Sequence, residues 1–289
     1  MNYQIFTDAM ADLDDIMLSG LPHIEIISMD IEVDGKLFTY GPQGNLSVKE
    51  FYEMQRNDKF ANTSQVTPDV FKRSFEPYLK QGKDILYLGF SSGMSGTMNS
   101  ANIAKLELEE HYPDRKVLCI DTLCASVGEG FLVMEAARRQ EAGISLLELT
   151  DWVMEHRLEV CHWFTIDTFK HLQHGGRVSA VSAMAGTVLN IKPLLHVDKE
   201  GKLDVAGKPR GSKQALKIKL QHMEEGWNPA LGKLVVIGHG DDIQAAETLK
   251  EEVASQFPEA EIYIADIGPV IGSHTGPGMV ALIYWGNNR

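Results

Sequence analysis

The chain of 289 residues repeats one pattern: a short apolar run, then a polar loop of small residues, then a helical stretch. The runs at 85–90 and 117–120 are both followed in this way. Short apolar runs without alternation are typical of strands buried on both faces. Their repeated order predicts a parallel sheet with helices on its faces. Ligands of such sheets bind at the carboxyl ends of the strands, so we expect a site in the loops after Phe90 and Ile120.

The length and the 44% of hydrophobic residues predict two α/β domains, each with its own core. We place the boundary just after a predicted helix at 146–156, which gives an N-terminal domain at 1–158 and a C-terminal domain at 159–289. The first is predicted to hold the parallel sheet. The second has a predicted hairpin over 194–205 and a predicted mixed sheet, with a Gly-rich loop at 268–278 before the last strand.

Charge and composition exclude several classes of function. The net charge of -13 repels phosphate backbones, so nucleic acid is not an expected partner. The three cysteines include no Cys-x-x-Cys pair, which is typical of a reducing compartment. No basic lead precedes the first apolar stretch, and no apolar run approaches the roughly 20 residues of a spanning helix. We therefore expect a cytoplasmic protein without a transmembrane segment, and transient contact with a membrane surface stays open.

Two clusters of hydroxyl residues are candidate ligand sites. The segment 62–65 precedes a helix that starts at Pro68, where hydroxyl and N–H groups can bind an anion or merely cap the helix. The loop 91–97 consists mostly of Ser, Thr and Gly, which let the backbone approach a ligand closely. Ser95 does not fit the nucleophile elbow Gly-x-Ser-x-Gly, because Thr97 stands where the second glycine belongs. Ser95 is therefore interpreted as a hydrogen-bond donor.

Two further motifs place a basic side chain among glycines. His274 lies in the Gly-rich segment 272–278, which is either a flexible turn or part of a site. Arg177 follows a double glycine, where it could clamp a carboxylate or phosphate or simply fix the turn. His171 and His174 lack the further ligands that a metal site needs. Phosphate-loop and dinucleotide patterns are absent from the sequence, so no metal and no cofactor is predicted.

Taken in order along the chain, these motifs resemble those of the DegV family of bacterial lipid-binding proteins. Each motif is common by itself, and the ordered set is specific. The matches are Thr7-Asp8, Asp12-Leu13, Thr63-Ser64-Gln65 with Pro68, Ser91-Ser92-x-x-Ser95-Gly96-Thr97, Asp121 with Ser126-x-Gly128-x-Gly130, Gly175-Gly176-Arg177, Leu189-Asn190-Ile191-Lys192-Pro193, Arg210, and Gly272-x-His274-x-Gly276-Pro277-Gly278.

The resemblance implies a two-domain α/β protein with one long-chain fatty acid in an apolar tunnel between the domains. Some members are fatty-acid-binding subunits of bacterial fatty acid kinase, whose catalytic subunit converts the bound carboxylate to acyl phosphate for phospholipid synthesis. It thus implies a lipid-binding protein that is not itself an enzyme. By motif, Thr63 and Ser95 would hold the carboxylate, with His274 beside it. Additional candidates are Ser64, Thr97, Ser126, Arg177 and Thr275.

The sequence departs from the family pattern at a few positions. Ala9 stands where a serine is usual, and Thr122 replaces a common serine but keeps a hydroxyl. Neither change removes an expected carboxylate ligand. Two other functions stay open: a stand-alone serine hydrolase acting on acyl esters through Ser95 and His274, and a binding module for another amphiphile.

Overall fold

The computed structural model describes residues 2–177, 191–287 and 289. The strands are β1 (Tyr3–Asp8), β2 (Glu25–Ile27), β3 (Met29–Val33), β4 (Lys36–Tyr40), β5 (Ala61–Thr63), β6 (Asp84–Gly89), β7 (Val117–Asp121), β8 (Val160–Thr165), β9 (Leu194–Val197), β10 (Leu203–Gly207), β11 (Leu234–His239), β12 (Glu261–Asp266) and β13 (Val280–Trp285). The α-helices are α1 (Asp15–Leu18), α2 (Val48–Arg56), α3 (Pro68–Lys80), α4 (Thr97–His111), α5 (Val127–Glu141), α6 (Leu146–His156), α7 (Lys170–His174), α8 (Gly211–Gly226), α9 (Ile243–Gln256) and α10 (Pro269–Thr275). Short 3₁₀ helices cover Ala9–Ala11 and Arg157–Glu159.

The N-terminal half contains the predicted parallel sheet, with its four strands in the order β2-β1-β6-β7. Strand β1 is wholly buried and β6 nearly so, as expected of strands covered on both faces. Strand β7 lies at the edge of the sheet, and of its residues only Val117 is fully buried. Helices α3 and α5 contact β6, and α4 and α6 contact β7. The loops after β6 and β7 therefore leave the same end of this sheet.

The C-terminal half contains the predicted mixed sheet, with six strands in the order β10-β9-β8-β13-β11-β12. Strands β11 and β12 are parallel, and every other neighbouring pair is antiparallel. The predicted hairpin at 194–205 is present as β9 and β10. Strand β13 lies between β8 and β11, so the last strand of the chain occupies the middle of the sheet.

Two segments differ from their predicted structure. Strand β5 joins β3 and β4 in a small third sheet, whereas the segment around Thr63 was predicted only as the approach to a helix. The segment 268–278, predicted as a loop, contains α10, so that prediction was wrong. Pro269 at the first helical position and Gly276 at a φ of 77° after the last are common signals of helix ends. Glycines at both ends obscured a helix of seven residues.

One hydrophobic cluster runs through both halves of the molecule. It includes Phe6 and Phe75 from the first half and Phe164 and Ile283 from the second. A smaller cluster that includes Met223 lies within the C-terminal half. The boundary at residue 158 stays a prediction, since the two halves share most of their core. In the described ranges, no helix combines the length and the hydropathy needed to cross a bilayer.

Candidate functional site

A cavity lies between the two large sheets and is walled by both halves of the chain. The space between its atoms amounts to about 800 Å³, including the part open to solvent. Most of the wall is apolar. The apolar lining residues are Met10, Met29, Phe90, Met94, Ala125, Val127, Phe164, Leu172, Val197, Leu203, Val270, Ile271, Met279, Ala281 and Ile283. The polar lining residues are Thr63, Ser64, Gln65, Ser95, Ser126, His162, Arg177, His274 and Thr275.

Thr63 and His274 form a hydrogen bond in the cavity wall, with 2.9 Å between Thr63 Oγ1 and His274 Nε2. Thr63 ends strand β5 and is held in register opposite Ile31 of β3. His274 lies in the last turn of α10. Gly175 packs directly on the imidazole, because a Cβ at that position would lie 2.0 Å from His274 Nδ1. Segments far apart in sequence therefore fix this one ring.

The imidazole of His274 is held in its neutral form. Burial, followed by the nearby Arg177 guanidinium and His174, lowers the pKa of His274 from its ordinary 6.5 to about 4. Its Nδ1 atom is buried and has no hydrogen-bond partner among the described residues. In the tautomer with the proton on Nε2, His274 donates to Thr63 Oγ1. The Thr63 hydroxyl hydrogen is then available to an acceptor on a ligand.

Ser95 lines the same cavity from the loop between β6 and α4, here called the serine loop (91–96). Its hydroxyl donates to Thr97 Oγ1 at 3.0 Å and accepts from the Thr97 amide at 3.2 Å. Thr97 Oγ1 also accepts from the Val66 amide at 3.3 Å. Thr97 is fully buried and, unlike Ser95, does not line the cavity. It therefore orients Ser95, and the prediction that Thr97 itself faces a ligand does not agree with its position.

Arg177 connects the Gly-Gly turn to the serine loop at the rim of the cavity. Its Nη1 donates to the Gly175 carbonyl at 2.7 Å and its Nε donates to the Met94 carbonyl at 3.2 Å. It forms no ion pair with any carboxylate in the part of the chain that the structure describes. Through Gly175 and Met94, Arg177 brings the His274 ring and the serine loop together.

The remaining predicted residues contribute less to a ligand site. Ser64 lies at the exposed rim. The Thr275 hydroxyl donates to the Ile271 carbonyl one turn earlier in α10, at 3.1 Å. The Ser126 hydroxyl donates to Asp12 Oδ2 at 2.6 Å. Thr275 and Ser126 therefore line the cavity with hydroxyls that are already bonded to the protein.

Comparison with known proteins identifies the family of this chain. A family model described as an uncharacterised protein of the DegV family matches residues 2–287. The chain belongs to the DegV family. A DegV domain-containing protein of Clostridium perfringens is 39% identical over 99% of this chain and 98% of its own length.

Solved DegV structures have the same fold. A DegV family protein from Thermus thermophilus, described for its fatty acid binding, has a TM-score of 0.87 at 29% identity, over 99% of this chain and 100% of that one. The fatty acid kinase B3 protein of Streptococcus pneumoniae, loaded with linoleic acid, has a TM-score of 0.87 at 22% identity, over 99% and 100% of the two chains. At that identity the second likeness shows the fold alone. Leu189 and Asn190 of the predicted DegV motif fall outside the described residues.

The hydrolase interpretation finds no support in this DegV chain. Ser95 and His274 share no hydrogen bond: the serine is bonded to Thr97 and the histidine to Thr63. Within residues 2–177, 191–287 and 289, no carboxylate hydrogen-bonds His274 to orient it as a base. The same ranges contain no group of His, Cys, Asp or Glu placed to hold a metal ion.

Three buried carboxyl groups beside the cavity were not predicted from the sequence. This acid cluster consists of Asp8, Asp12 and Glu129, all at most 4% exposed. Tyr87 donates to Asp8 at 2.6 Å and Thr7 donates to Glu129 at 3.0 Å. Burial raises the pKa of Asp8 to about 6 and those of Asp12 and Glu129 well above their usual range. Asp8 and Asp12 belong to the DegV-like motifs of the sequence, but no local pattern places Glu129 beside them.

Proposed function

We propose that this chain binds one long-chain fatty acid, with its tail in the cavity between the sheets and its carboxylate at Thr63, Ser95 and His274. These three residues are called the head-group site below. The observation that carries the proposal is the meeting of three distant segments, through Gly175 and Arg177, at the wall of one apolar cavity. The description of the Thermus relative as fatty acid binding supports the choice of ligand.

The tail supplies most of the affinity in this proposal. Each methylene moved from water to an apolar wall contributes about 0.8 kcal/mol, so a C16 tail gains roughly 12 kcal/mol before costs. Loss of translational freedom and ordering of the chain offset several kcal/mol of this gain. The head-group site then needs only to hydrogen-bond the carboxylate, because a buried anion without partners would be very unfavourable.

The head-group site is suited to presenting a carboxylate for reaction. It offers hydroxyls and a neutral imidazole, and the nearest guanidinium, Arg177, is already bonded to two carbonyls. A carboxylate held by neutral donors keeps more of its nucleophilicity than one in a bidentate arginine clamp. We therefore propose that a fatty acid kinase catalytic subunit phosphorylates the bound acid, and that this chain performs no chemistry alone. The ordered DegV motifs support this partner.

The first experiment is mass spectrometry of lipids extracted from the purified protein. A co-purified C14 to C18 acid is the expected result, and a different amphiphile would show that the ligand class is wrong. Acyl-phosphate formation is then measured with a fatty acid kinase catalytic subunit and ATP. The variant Thr63→Ala combined with Ser95→Ala should lower the rate, because two of the three head-group side chains lose their polar groups. Thr248→Ala, which removes an exposed hydroxyl on α9, is the matched control.

The net charge of -13 suggests that the docking surface of the kinase is basic. Added salt should then slow association, since exposed charges are screened over about 8 Å at physiological ionic strength. An association rate that does not change with salt would contradict a basic docking surface without affecting the proposal for the ligand. Turnover of acyl esters by the pure protein would contradict the proposal that this chain performs no chemistry alone.

A further inference from the structure

The wall of the cavity is unusually rich in methionine. Of the ten methionines that the structure describes, four line it: Met10, Met29, Met94 and Met279. They come from four separate segments, namely the 3₁₀ helix Ala9–Ala11, the start of β3, the serine loop and the residue before β13. Three of them are at most 4% exposed and Met94 is half-buried. These side chains therefore approach the cavity from several directions.

The part of the wall formed by strands β8 and β13 has less flexible side chains. Phe164 lies opposite Ala281 in the register of these strands, and His162 lies opposite Ile283. All four line the cavity. Regular strand pairing fixes the positions of these side chains, and their branched or aromatic groups have few rotamers to choose from.

The His162 ring is held especially firmly within this wall. Its Nε2 accepts from the Ala125 amide at 3.3 Å, so its proton lies on Nδ1, which donates to the Val160 carbonyl at 2.8 Å. A Cβ on Gly128 would lie 2.1 Å from Nε2, which leaves the ring no room to turn on that side. Both ring nitrogens are thus occupied, and one wall of the cavity keeps its shape whatever it binds.

Methionine has an unbranched side chain with three rotatable bonds and a polarisable sulfur. It can fill irregular space by changing rotamer, at little cost in packing, where a β-branched or aromatic residue would clash or leave a gap. A cis double bond bends an acyl chain and moves the volume that it occupies. Four methionines opposite a rigid wall can adjust their rotamers to such a change in ligand shape. A cavity with two rigid walls would fit only one ligand shape.

We propose that this cavity, if it binds fatty acids as argued above, takes straight saturated and cis-unsaturated acids of the same length with similar affinity. The four methionines change rotamer between the two complexes, and the wall of β8 and β13 stays as it is. The methionines thereby set the breadth of the acyl specificity, and the head-group site contributes equally to both ligands.

The first test measures displacement of a fluorescent fatty acid by stearate and by oleate. We expect dissociation constants within about fivefold of each other, whereas a misfit of one methylene in a rigid pocket commonly costs tenfold or more. In Met10→Leu with Met29→Leu, side chains of similar volume but less freedom should widen the ratio to at least about tenfold. Met223→Leu is the control, since Met223 is a fully buried methionine in the smaller core cluster.

The second test observes the methionine methyl groups of the unaltered protein by NMR after labelling with ¹³C. The signals of the four cavity methionines should differ between the stearate and oleate complexes, and that of Met223 should not. Identical signals in the two complexes, or discrimination of more than about tenfold by the unaltered protein, would overturn the inference. Failure of both acids to bind would instead overturn the proposed function.

Discussion

Two groups of polar side chains lie beside the same cavity and differ in burial and in whether they face the cavity. In the head-group site, Thr63, Ser95 and His274 are half-buried and line the cavity. In the acid cluster, the carboxyl groups of Asp8 and Glu129 are fully buried and do not line the cavity. Tyr87 and Thr7 donate hydrogen bonds to these carboxyl groups. The comparison indicates that burial of polar groups alone does not identify a ligand site, whereas polar groups that face a cavity are candidates for one.

Burial shifts the pKa values of both His274 and Asp8. The two shifts change the pH dependence of the unfolding free energy in opposite directions. Burial lowers the pKa of His274 below its unfolded value, so its contribution to stability is lost as the pH falls from 6.5 toward 4. Burial raises the pKa of Asp8 to about 6, so its contribution is present at low pH and is lost as the pH rises through 6. Between pH 4 and 6 the two effects oppose each other.

This opposition gives the largest expected effect. The unfolding free energy of the wild type is compared with that of His274→Asn. The difference, wild type minus variant, should be about 2 to 3 kcal/mol smaller at pH 4.5 than at pH 7, because only the histidine takes up a proton on unfolding. For Asp8→Asn, the corresponding difference should be larger at pH 4.5 than at pH 7. Urea unfolding at several pH values measures both. Differences that run parallel for the two variants would contradict the contrast between the two groups.

The next effect concerns the ring of His274 without changing any side chain of the head-group site. In Gly175→Ala the new methyl group would lie 2.0 Å from His274 Nδ1, so the ring must shift from the position in which it bonds Thr63. We expect the fatty acid affinity to fall by about 2 kcal/mol, or roughly thirtyfold, as hydrogen bonds to the charged carboxylate are lost. Displacement of a fluorescent fatty acid measures it.

The neighbouring glycine provides the control. Gly176 has a φ of +68°, and a Cβ there would meet no atom within 4 Å. Asparagine tolerates this backbone region, so Gly176→Asn should retain the fatty acid affinity. Equal losses in the two variants would mean that the whole turn, and not the position of the ring, is what matters.

A smaller effect should separate the acid cluster from ligand binding. In Glu129→Gln an uncharged side chain of the same shape replaces a buried carboxyl whose pKa is raised. The unfolding free energy at pH 7.5 should rise by about 1 to 2 kcal/mol, because no charge needs to be buried or neutralised. Fatty acid affinity should stay the same, since Glu129 does not line the cavity. A loss of affinity would show that the cluster belongs to the site.

The smallest effect concerns the residue that orients Ser95. Thr97→Val removes the oxygen bonded to Ser95 Oγ, so the fatty acid affinity should fall by about 1 kcal/mol, or roughly fivefold. The fatty alcohol of the same length, which lacks the carboxylate, should lose less. If acid and alcohol lose affinity equally, the change acts on packing near Val66 and not on the head-group site.

The fold could be predicted from local signals in most of the chain. Asp34-Gly35 is a pair typical of a hairpin turn, and in the turn between β3 and β4 both residues have the required positive φ. Ser47 followed three residues later by Glu50 is typical of a helix start, and the reciprocal capping bonds are present at the start of α2. Helix α10 was missed because its neighbouring glycines are equally typical of a loop. The pairing of β5 with β3 depends on contacts outside its three residues, which no local pattern reports.

The residues proposed for the head-group site could be selected from the sequence because they belong to recognisable hydroxyl and glycine motifs. The structure brings two of them, Thr63 and His274, into contact although they are 211 positions apart. The cavity wall could not be found in this way. Phe90, Leu203 and Ile283 look like ordinary core residues, and they line the cavity only because two sheets approach each other there. The acid cluster was equally hidden, since each carboxyl group is recognisable only by its folded surroundings.

The division of the cavity wall between two halves of one chain has a consequence for how its selectivity can be inherited. Neither half forms the cavity alone, so a substitution in one half changes ligand preference only in combination with the surface that the other half provides. Chimaeras that exchange halves between relatives should often fold and yet bind lipid poorly, unless both halves descend from the same ancestor. Selection in such a protein therefore acts jointly on the residues of the two halves that face each other across the cavity. Compensating substitutions should fall on opposite sides of the cavity.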